Sequence, residues 1–403
     1  MRRIYLQKAR HQIARPTTIR DINRQIVLNY VRERSPISRA EIARETNLQR
    51  STVSAIVEDL HRAGLIEELG SGDSTGGRKP TLLKLKTGTP VALGIDVTPR
   101  KITIALSDLA GQILDKEVIP ISRDQDFVSR QILSEIPNLL KRHDDINDEL
   151  EVGISLPGIT DQPNGESLYI PYFDWVGWDI ARQIKQKFDL KTVIDNDANA
   201  IALAEHWFGK ETIRKYNHFI AVLISDGIGT GMIFDGHIYR GEKGAAGEFG
   251  HMIVGGEGPI QCSCGGYDCW ESHASEKAIL ARYRQKHNLS PTHTDGFDMA
   301  RLVDLAKVGE EQSLDALKET AKYIGAGLSN LIVGLSPQAI VISGAIIKVW
   351  DLISEDVNTF AQRGIRRDLP ETDIIPSSLG EDPTLIGALS LVLSRKFASA
   401  HKV

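Results

Sequence analysis

The sequence predicts an α/β chain in two parts: a basic winged helix-turn-helix at the N-terminus, then a duplicated α/β body with a central cleft. Three observations carry this. Residues 1–86 hold 17 Lys and Arg against 9 Asp and Glu, and the remainder holds 31 against 44, so a net charge of −5 conceals a basic head on an acidic body. Two stretches, starting at Val91 and Phe219, read strand–turn–strand–turn–strand in the same order. All three cysteines fall between Cys262 and Cys269, just behind His251. The 403 residues suffice for two or three domains with their own cores.

In the head, Ile19, Ile22, Ile26, Val27 and Tyr30 recur three or four apart and make one helical face, broken at Ser35-Pro36. Ser38-Arg39-Ala40-Glu41 reads as a capping box opening a second short helix. Asn47-Leu48 is a tight turn, and a third helix from about Arg50 points Val53, Ile56, Val57 and Leu60 inward before Gly64 ends it. Leu65–Leu69 and Thr81–Leu85 then read as a hairpin whose long loop ends Gly76-Gly77-Arg78-Lys79-Pro80. In this docking mode the third helix enters a major groove with Gln49, Arg50, Ser51, Thr52 and Ser54 toward the DNA. The wing lays Arg78 and Lys79 along the backbone or into a narrow A/T-rich minor groove. A three-helix protein-interaction module is the alternative, opposed by the charge, the polar start of the third helix and the basic wing. Residues 1–17 form a further basic segment, a disordered arm or an extra DNA contact.

In the body, Val91–Asp96, Ile102–Leu106 and Ile113–Ile119 form the first meander, followed by a helix over about 128–141. Phe219–Ile224, Met232–Phe234 and His237–Arg240 repeat it. Between them, Ile194-Asp195-Asn196-Asp197-Ala198-Asn199 ends a strand and opens a helix. Polar residues there suit ligand contacts on a cleft rim, and equally an ordinary helix cap. The expected boundaries are 1–86 for the head, 87–200 for the first lobe, completed by a C-terminal helix over 385–403, and 201–384 for the second lobe.

His251, Cys262, Cys264 and Cys269 are the ligand set of a closed tetrahedral zinc site, with Gly265 and Gly266 allowing the sharp turn. Buried free thiols beside an unrelated histidine are the alternative, but chance rarely packs every cysteine of a long chain into one loop. With all four positions filled by protein, one structural Zn²⁺ per chain is expected, holding Glu248 and Glu271 in place. The odd cysteine count and the lack of a secretion signal or long apolar run predict a cytoplasmic protein without membrane insertion.

These motifs resemble the ROK family of repressors, open reading frames and sugar kinases, and specifically its repressor branch of N-acetylglucosamine-, glucose- and xylose-responsive regulators. Cys262-Ser263-Cys264-Gly265-Gly266-Tyr267-Asp268-Cys269-Trp270-Glu271 matches the family's zinc signature, and Glu248-Phe249-Gly250-His251 its Glu-x-Gly-His. Asn196-Asp197-Ala198-Asn199 matches the sugar motif and Leu156-Pro157-Gly158 a shorter one. The resemblance implies an actin-like, ribonuclease H-like body of sugar-kinase type. It also implies sugar contacts at Asn196, Asp197, Glu248, His251 and Glu271, with His251 serving both sugar and metal and Asp197 standing where the kinases have their general base.

Departures separate the branches. The kinases' first phosphate loop is Gly-Gly-Thr, where this chain reads Asp96-Val97-Thr98-Pro99-Arg100. The second turn, Asp226-Gly227-Ile228-Gly229-Thr230-Gly231, survives, while Ile342-Ser343-Gly344-Ala345 keeps one glycine at the adenosine contacts. Tyr172-Phe173-Asp174-Trp175 replaces an Asn-Leu pair near the sugar. The expected protein is therefore a sugar-responsive repressor of carbohydrate uptake or catabolism genes, not an enzyme. It would be a homodimer or homotetramer on a palindromic, A/T-rich double-stranded operator, with a sugar or sugar phosphate in the cleft as effector. The rivals are a bifunctional ATP-dependent sugar kinase and a body that docks a partner protein.

Overall fold

The computed structural model describes residues 16–71, 80–290, 296–366 and 370–398. It divides into two compact units: Met1–Thr89 with Asn147–Glu149 and Arg395–Val403, and Pro90–Ile146 with Leu150–Ser394. Among the described residues no helix is long and apolar enough to cross a membrane.

The first unit begins with α1 (Pro16–Arg34), β1 (Ile37–Ser38), α2 (Arg39–Thr46) and α3 (Arg50–Arg62), followed by β2 (Ile66–Ser71) and β3 (Thr81–Leu85). The capping box is complete: the Ser38 N–H donates to Glu41 Oε2 at 2.8 Å, and the Glu41 N–H returns to Ser38 Oγ at 3.3 Å. Asn47 takes φ +57° between α2 and α3, a left-handed turn that Asn tolerates. Val27, Leu28, Val31, Ile42, Val53, Val57 and Leu60 close the core. The sheet order is β1-β3-β2, so Ile37–Ser38 adds a third strand that periodicity could not show in two residues. Asn147 Nδ2 donates to Ala63 O at 2.7 Å, and Lys396 Nζ to Glu149 O at 2.8 Å, tying two distant segments into this unit.

The second unit opens with β4 (Ala92–Val97), β5 (Lys101–Ser107), β6 (Ile113–Pro120), α4 (Gln125–Leu140) and β7 (Glu151–Leu156). A small antiparallel sheet of β8 (Ile159–Asp161), β9 (Glu166–Ile170) and β10 (Trp175–Trp178) follows, then α5 (Ile180–Phe188), β11 (Thr192–Asn196), α6 (Asp197–Phe208) and α7 (Glu211–Arg214). The second lobe contains β12 (Phe219–Ile224), β13 (Ile228–Phe234), β14 (His237–Ile238), α8 (Trp270–Ala274), α9 (Glu276–Lys286), α10 (Met299–Lys307), α11 (Glu311–Leu335), β15 (Ala339–Ser343), α12 (Trp350–Gln362) and β16 (Asp373–Pro376). The chain's last helix is α13 (Pro383–Phe397).

The duplication is visible in the strand order. One sheet runs β6-β5-β4-β7-β11 and the other β14-β13-β12-β15-β16, each with an antiparallel meander followed by two parallel additions. Strands β4, β12 and β15 are buried along their whole length, as near-continuous apolar runs covered on both faces should be. Within this unit α13 lays Ala388 and Leu389 over Gly153 and Gly94, where any side chain would clash.

Two local details bear on the phosphate-loop comparison. Val97, in the place of the kinases' first phosphate loop, is the last residue of β4 with its side chain in the core. The expected turn 226–231 is shorter, because Ile228 onward belongs to β13. Gly229 and Gly231 serve there to let α6 approach, with Ala198 against both.

Candidate functional site

A cavity of about 370 Å³ lies between the two lobes, within the second unit. Asn196, Asp197, Glu248, His251 and Glu271 all line it, so residues far apart in sequence converge on one space. It forms where α/β folds place ligands, at the carboxyl ends of parallel strands.

Both readings of the Asn196 segment are realised. Asn196 caps α6, its side-chain oxygen accepting the N–H of Ala198 at 2.9 Å while its amide donates to Gly158 O at 3.0 Å. This spends its polar atoms on orientation and leaves Asp197, the first helical residue, facing the cavity. Asp195 holds the segment from beneath: it accepts Arg240 Nε and Nη2 at 3.0 and 2.8 Å and Asn199 Nδ2 at 3.1 Å. Burial, against the backbone N–H donors of Ala198 and Asp197 and with the Glu248 carboxylate adding to it, raises the Asp197 pKa to about 7.

Glu248–His251 form a 3₁₀ turn, with Gly250 against Ile228 O where a Cβ would clash. His251 Nδ1 lies 3.2 Å from Cys262 Sγ, and its Nε2 lies 3.6 Å from Glu248 Oε2. One ring nitrogen thus faces the thiols and the other the carboxylate. Burial raises the Glu248 pKa, His251 opposing and Glu271 adding. Glu271 accepts the N–H of Ile228 at 3.1 Å.

The donor atoms of His251, Cys262, Cys264 and Cys269 all lie within 4.8 Å of one another, a cluster able to hold a metal ion. Cys264 and Cys269 Sγ are 3.3 Å apart, near the roughly 3.8 Å edge of a tetrahedral zinc–thiolate site, so the residues fit that group. The turn forms because Gly265, at φ +93°, bonds its N–H to Cys262 O at 2.9 Å. Trp270 anchors the cluster on α11 by donating its indole N–H to Tyr323 O at 2.9 Å.

Tyr172 also lines the cavity. Burial, then the charges of Glu271, Asp226 and Asp197, hold its phenol above the usual range, so it stands as a neutral donor among carboxylates. Lys277 Nζ sits 4.7 Å from its ring centroid. The replaced Asn-Leu pair was the one sequence signal for Tyr172; nothing local pointed to Lys277 or to the Arg240–Asp195 pair. In the turn after β4, Thr98 Oγ1 accepts the N–H groups of Arg100 and Lys101 at 3.4 and 3.1 Å.

In the head, Gln49, Arg50 and Ser51 are exposed at the start of α3, with Thr52 and Ser54 partly so. Arg44, exposed in the last turn of α2, adjoins them in the same motif and went unnoticed in the sequence. Arg78 and Lys79 lie outside the described residues.

Comparison with known proteins agrees with both units. Residues 20–67 match the winged helix-turn-helix DNA-binding family and residues 92–395 the ROK family. The sequence is 33% identical over 384 residues to a xylose repressor of Bacillus spizizenii, covering 94% of this chain and 97% of that one. A solved ROK family transcriptional regulator, described as a homolog of E. coli MLC protein, has the same fold, with a TM-score of 0.79 at 24% identity over 94% of this chain and 97% of its own. A ROK family glucokinase from Streptomyces griseus, solved with glucose and AMPPNP, gives a TM-score of 0.66 at 26% identity over 75% of this chain and 99% of its own. With its body matched over that span, this chain belongs to the ROK family.

Proposed function

We propose that the protein is a sugar-responsive transcriptional repressor of carbohydrate uptake or catabolism genes, acting in the cytoplasm. The observation that carries this is one chain joining a helix-turn-helix to a cavity on which Asn196, Asp197, Glu248, His251 and Glu271 converge. Residues 1–86 bind a palindromic, A/T-rich operator through Gln49, Arg50, Ser51, Thr52, Ser54, Arg78 and Lys79, as one arm of a homodimer or homotetramer. Residues 87–200 and 201–384 form the two sugar-gripping lobes. The effector is a neutral aldose, with xylose the first candidate. Asp197, Glu248 and Glu271 offer acceptors to hydroxyl groups and outnumber the Lys277 ammonium that also lines the cavity, so a phosphate would meet a mainly negative wall. The name of the Bacillus spizizenii relative supports the same choice.

His251, Cys262, Cys264 and Cys269 would hold one Zn²⁺, which when bound fixes the loop as a structural ion. His251 then keeps Nε2 for the cavity, oriented beside Glu248. Sugar binding and operator binding are coupled and therefore reciprocal. Titrating operator DNA with and without xylose tests this. Xylose should weaken operator binding, and operator should weaken xylose binding by the same factor; independence of the two affinities would overturn it.

The body does not act as a kinase. Thr98 consumes the N–H groups of Arg100 and Lys101 that a phosphate cradle would present, and Pro99 has none. One observation favours the second reading, an ATP-dependent sugar kinase: Asp197, at about 7, is poised as a general base. ADP release with xylose or glucose, abolished by Asp197→Asn, would establish that reading instead.

A further inference from the structure

Arg100 leaves the β4–β5 turn of the first lobe and reaches the second. Its Nη2 lies 2.9 Å from Asp226 Oδ1 in the β12–β13 turn and 3.2 Å from Glu276 Oε2 at the start of α9. The two carboxylate side chains are only 14% and 7% exposed, and among the described residues Arg100 is the only cation paired with either. Glu276 additionally accepts the N–H of Ala345, just past β15. Pro99 and Asp226, adjacent to and part of this bridge, both line the cavity, so the bridge spans its edge.

Two carboxylates held close in a half-dry crevice repel, and each loses hydration that water would otherwise supply. A guanidinium between them offsets both effects, and its planar fork suits two acceptors at once. The first lobe contributes the cation and the second both anions, so the attraction acts across the cleft.

We propose that Arg100 is a positioning residue that clamps the two lobes and sets the width of the cavity for sugar. The clamp lies beside the turn whose counterpart holds nucleotide phosphate in the kinases that the chain resembles. Closure is thereby built into the chain and requires no nucleotide. This inference rests on the sugar-binding reading above.

The test is calorimetric titration of the full-length protein with D-xylose and, in parallel, D-glucose, in low and high NaCl. Wild type should bind one of them, more weakly as salt screens the clamp. Arg100→Ala should bind the same sugar about tenfold more weakly, with a flattened salt response, and Arg100→Lys should recover part of the loss. Glu276→Gln, which keeps an acceptor for Ala345 and lies outside the cavity lining, should lose affinity in the same direction if Arg100→Ala does not fold. Wild-type affinity in Arg100→Ala, or in Glu276→Gln, overturns the clamp and leaves the sugar reading standing. Failure of wild type to bind either sugar overturns both.

Discussion

Cys262 and Glu271 meet sulfur to carboxylate, with Sγ 3.4 Å from Oε1, while Oε2 of the same carboxylate accepts the N–H of Ile228. Glu271 thus touches the cysteine cluster on one side and is bonded to the first residue of β13 on the other. The cysteine loop and the cavity wall are one piece of structure, so disturbing the first should reach the second.

Cys264 is the residue with which to test this, because it belongs to the donor cluster but does not line the cavity. Cys264→Ser should lower bound zinc from one per chain toward zero by elemental analysis. It should also weaken sugar binding by about tenfold or more, since the scaffold of His251 and Glu271 is lost. Full zinc content, or unchanged sugar affinity after zinc loss, would contradict the linkage.

The raised pKa of Asp197 sets a pH dependence. Burial lifts it from 3.8 to about 7, so the folded protein holds a proton there that the unfolded chain releases above about pH 4. Folding stability from this group therefore falls as pH rises from about 4 to 7, and is level above that. Asp96, also raised to about 7 by burial, acts in the same direction. On the proposed sugar contact at Asp197, binding has the opposite sign, because a hydroxyl donates best to the carboxylate. Affinity should hold above pH 7 and fall by up to about tenfold per unit below it, with Asp197→Asn removing most of that slope. Calorimetry in buffers of different ionisation heat would count the proton released.

Much of the head was legible because its signals are local. The Ser38–Glu41 capping box, Asn47 and Gly64 each act within four residues, and each appears where its chemistry requires. The two meanders were legible for the same reason, since apolar runs alternate over short spans with turns, at Pro99 and Gly111 in the first and at Asp226-Gly227 and Asp235-Gly236 in the second. The cysteine cluster showed through spacing alone. Less visible was whatever depends on distant pairing: the two-residue strand β1 against β3, the sheet β8–β10, and Arg100 against Asp226, 126 residues apart. Gly229 and Gly231 show a related limit. Read locally they extend a turn, and only the fold shows α6 packed against them.

Gly327 carries a similar lesson with a measurable sign. Within a helix, Gly→Ala normally stabilises by about 1 kcal/mol. Gly327 lies inside α11 with the Trp270 indole against it, and a Cβ would overlap the ring. Gly327→Ala should instead cost about 2–3 kcal/mol and lower the melting temperature by several degrees. Because Trp270 follows Cys269 directly, zinc retention should weaken in parallel. A stabilised variant would show that the indole can move aside.

Arg50 is the residue with which to test how the head would meet DNA. It opens α3, fully outside the core, and shares its exposed end with Gln49 and Ser51. On the proposed docking, a cation at this place would approach the DNA backbone, where neutralising one phosphate releases about one counterion. Arg50→Ala should therefore weaken operator binding about tenfold and reduce the slope of log affinity against log salt by about 1. It should weaken binding to unrelated DNA by a similar factor, because a phosphate contact reads no sequence. Gln49→Ala, by contrast, should spare the salt slope and relax preference at one base pair of each half-site. Filter binding or anisotropy across a salt series separates the two. An Arg50 variant with an unchanged slope and altered base preference would move this residue from backbone contact to base readout.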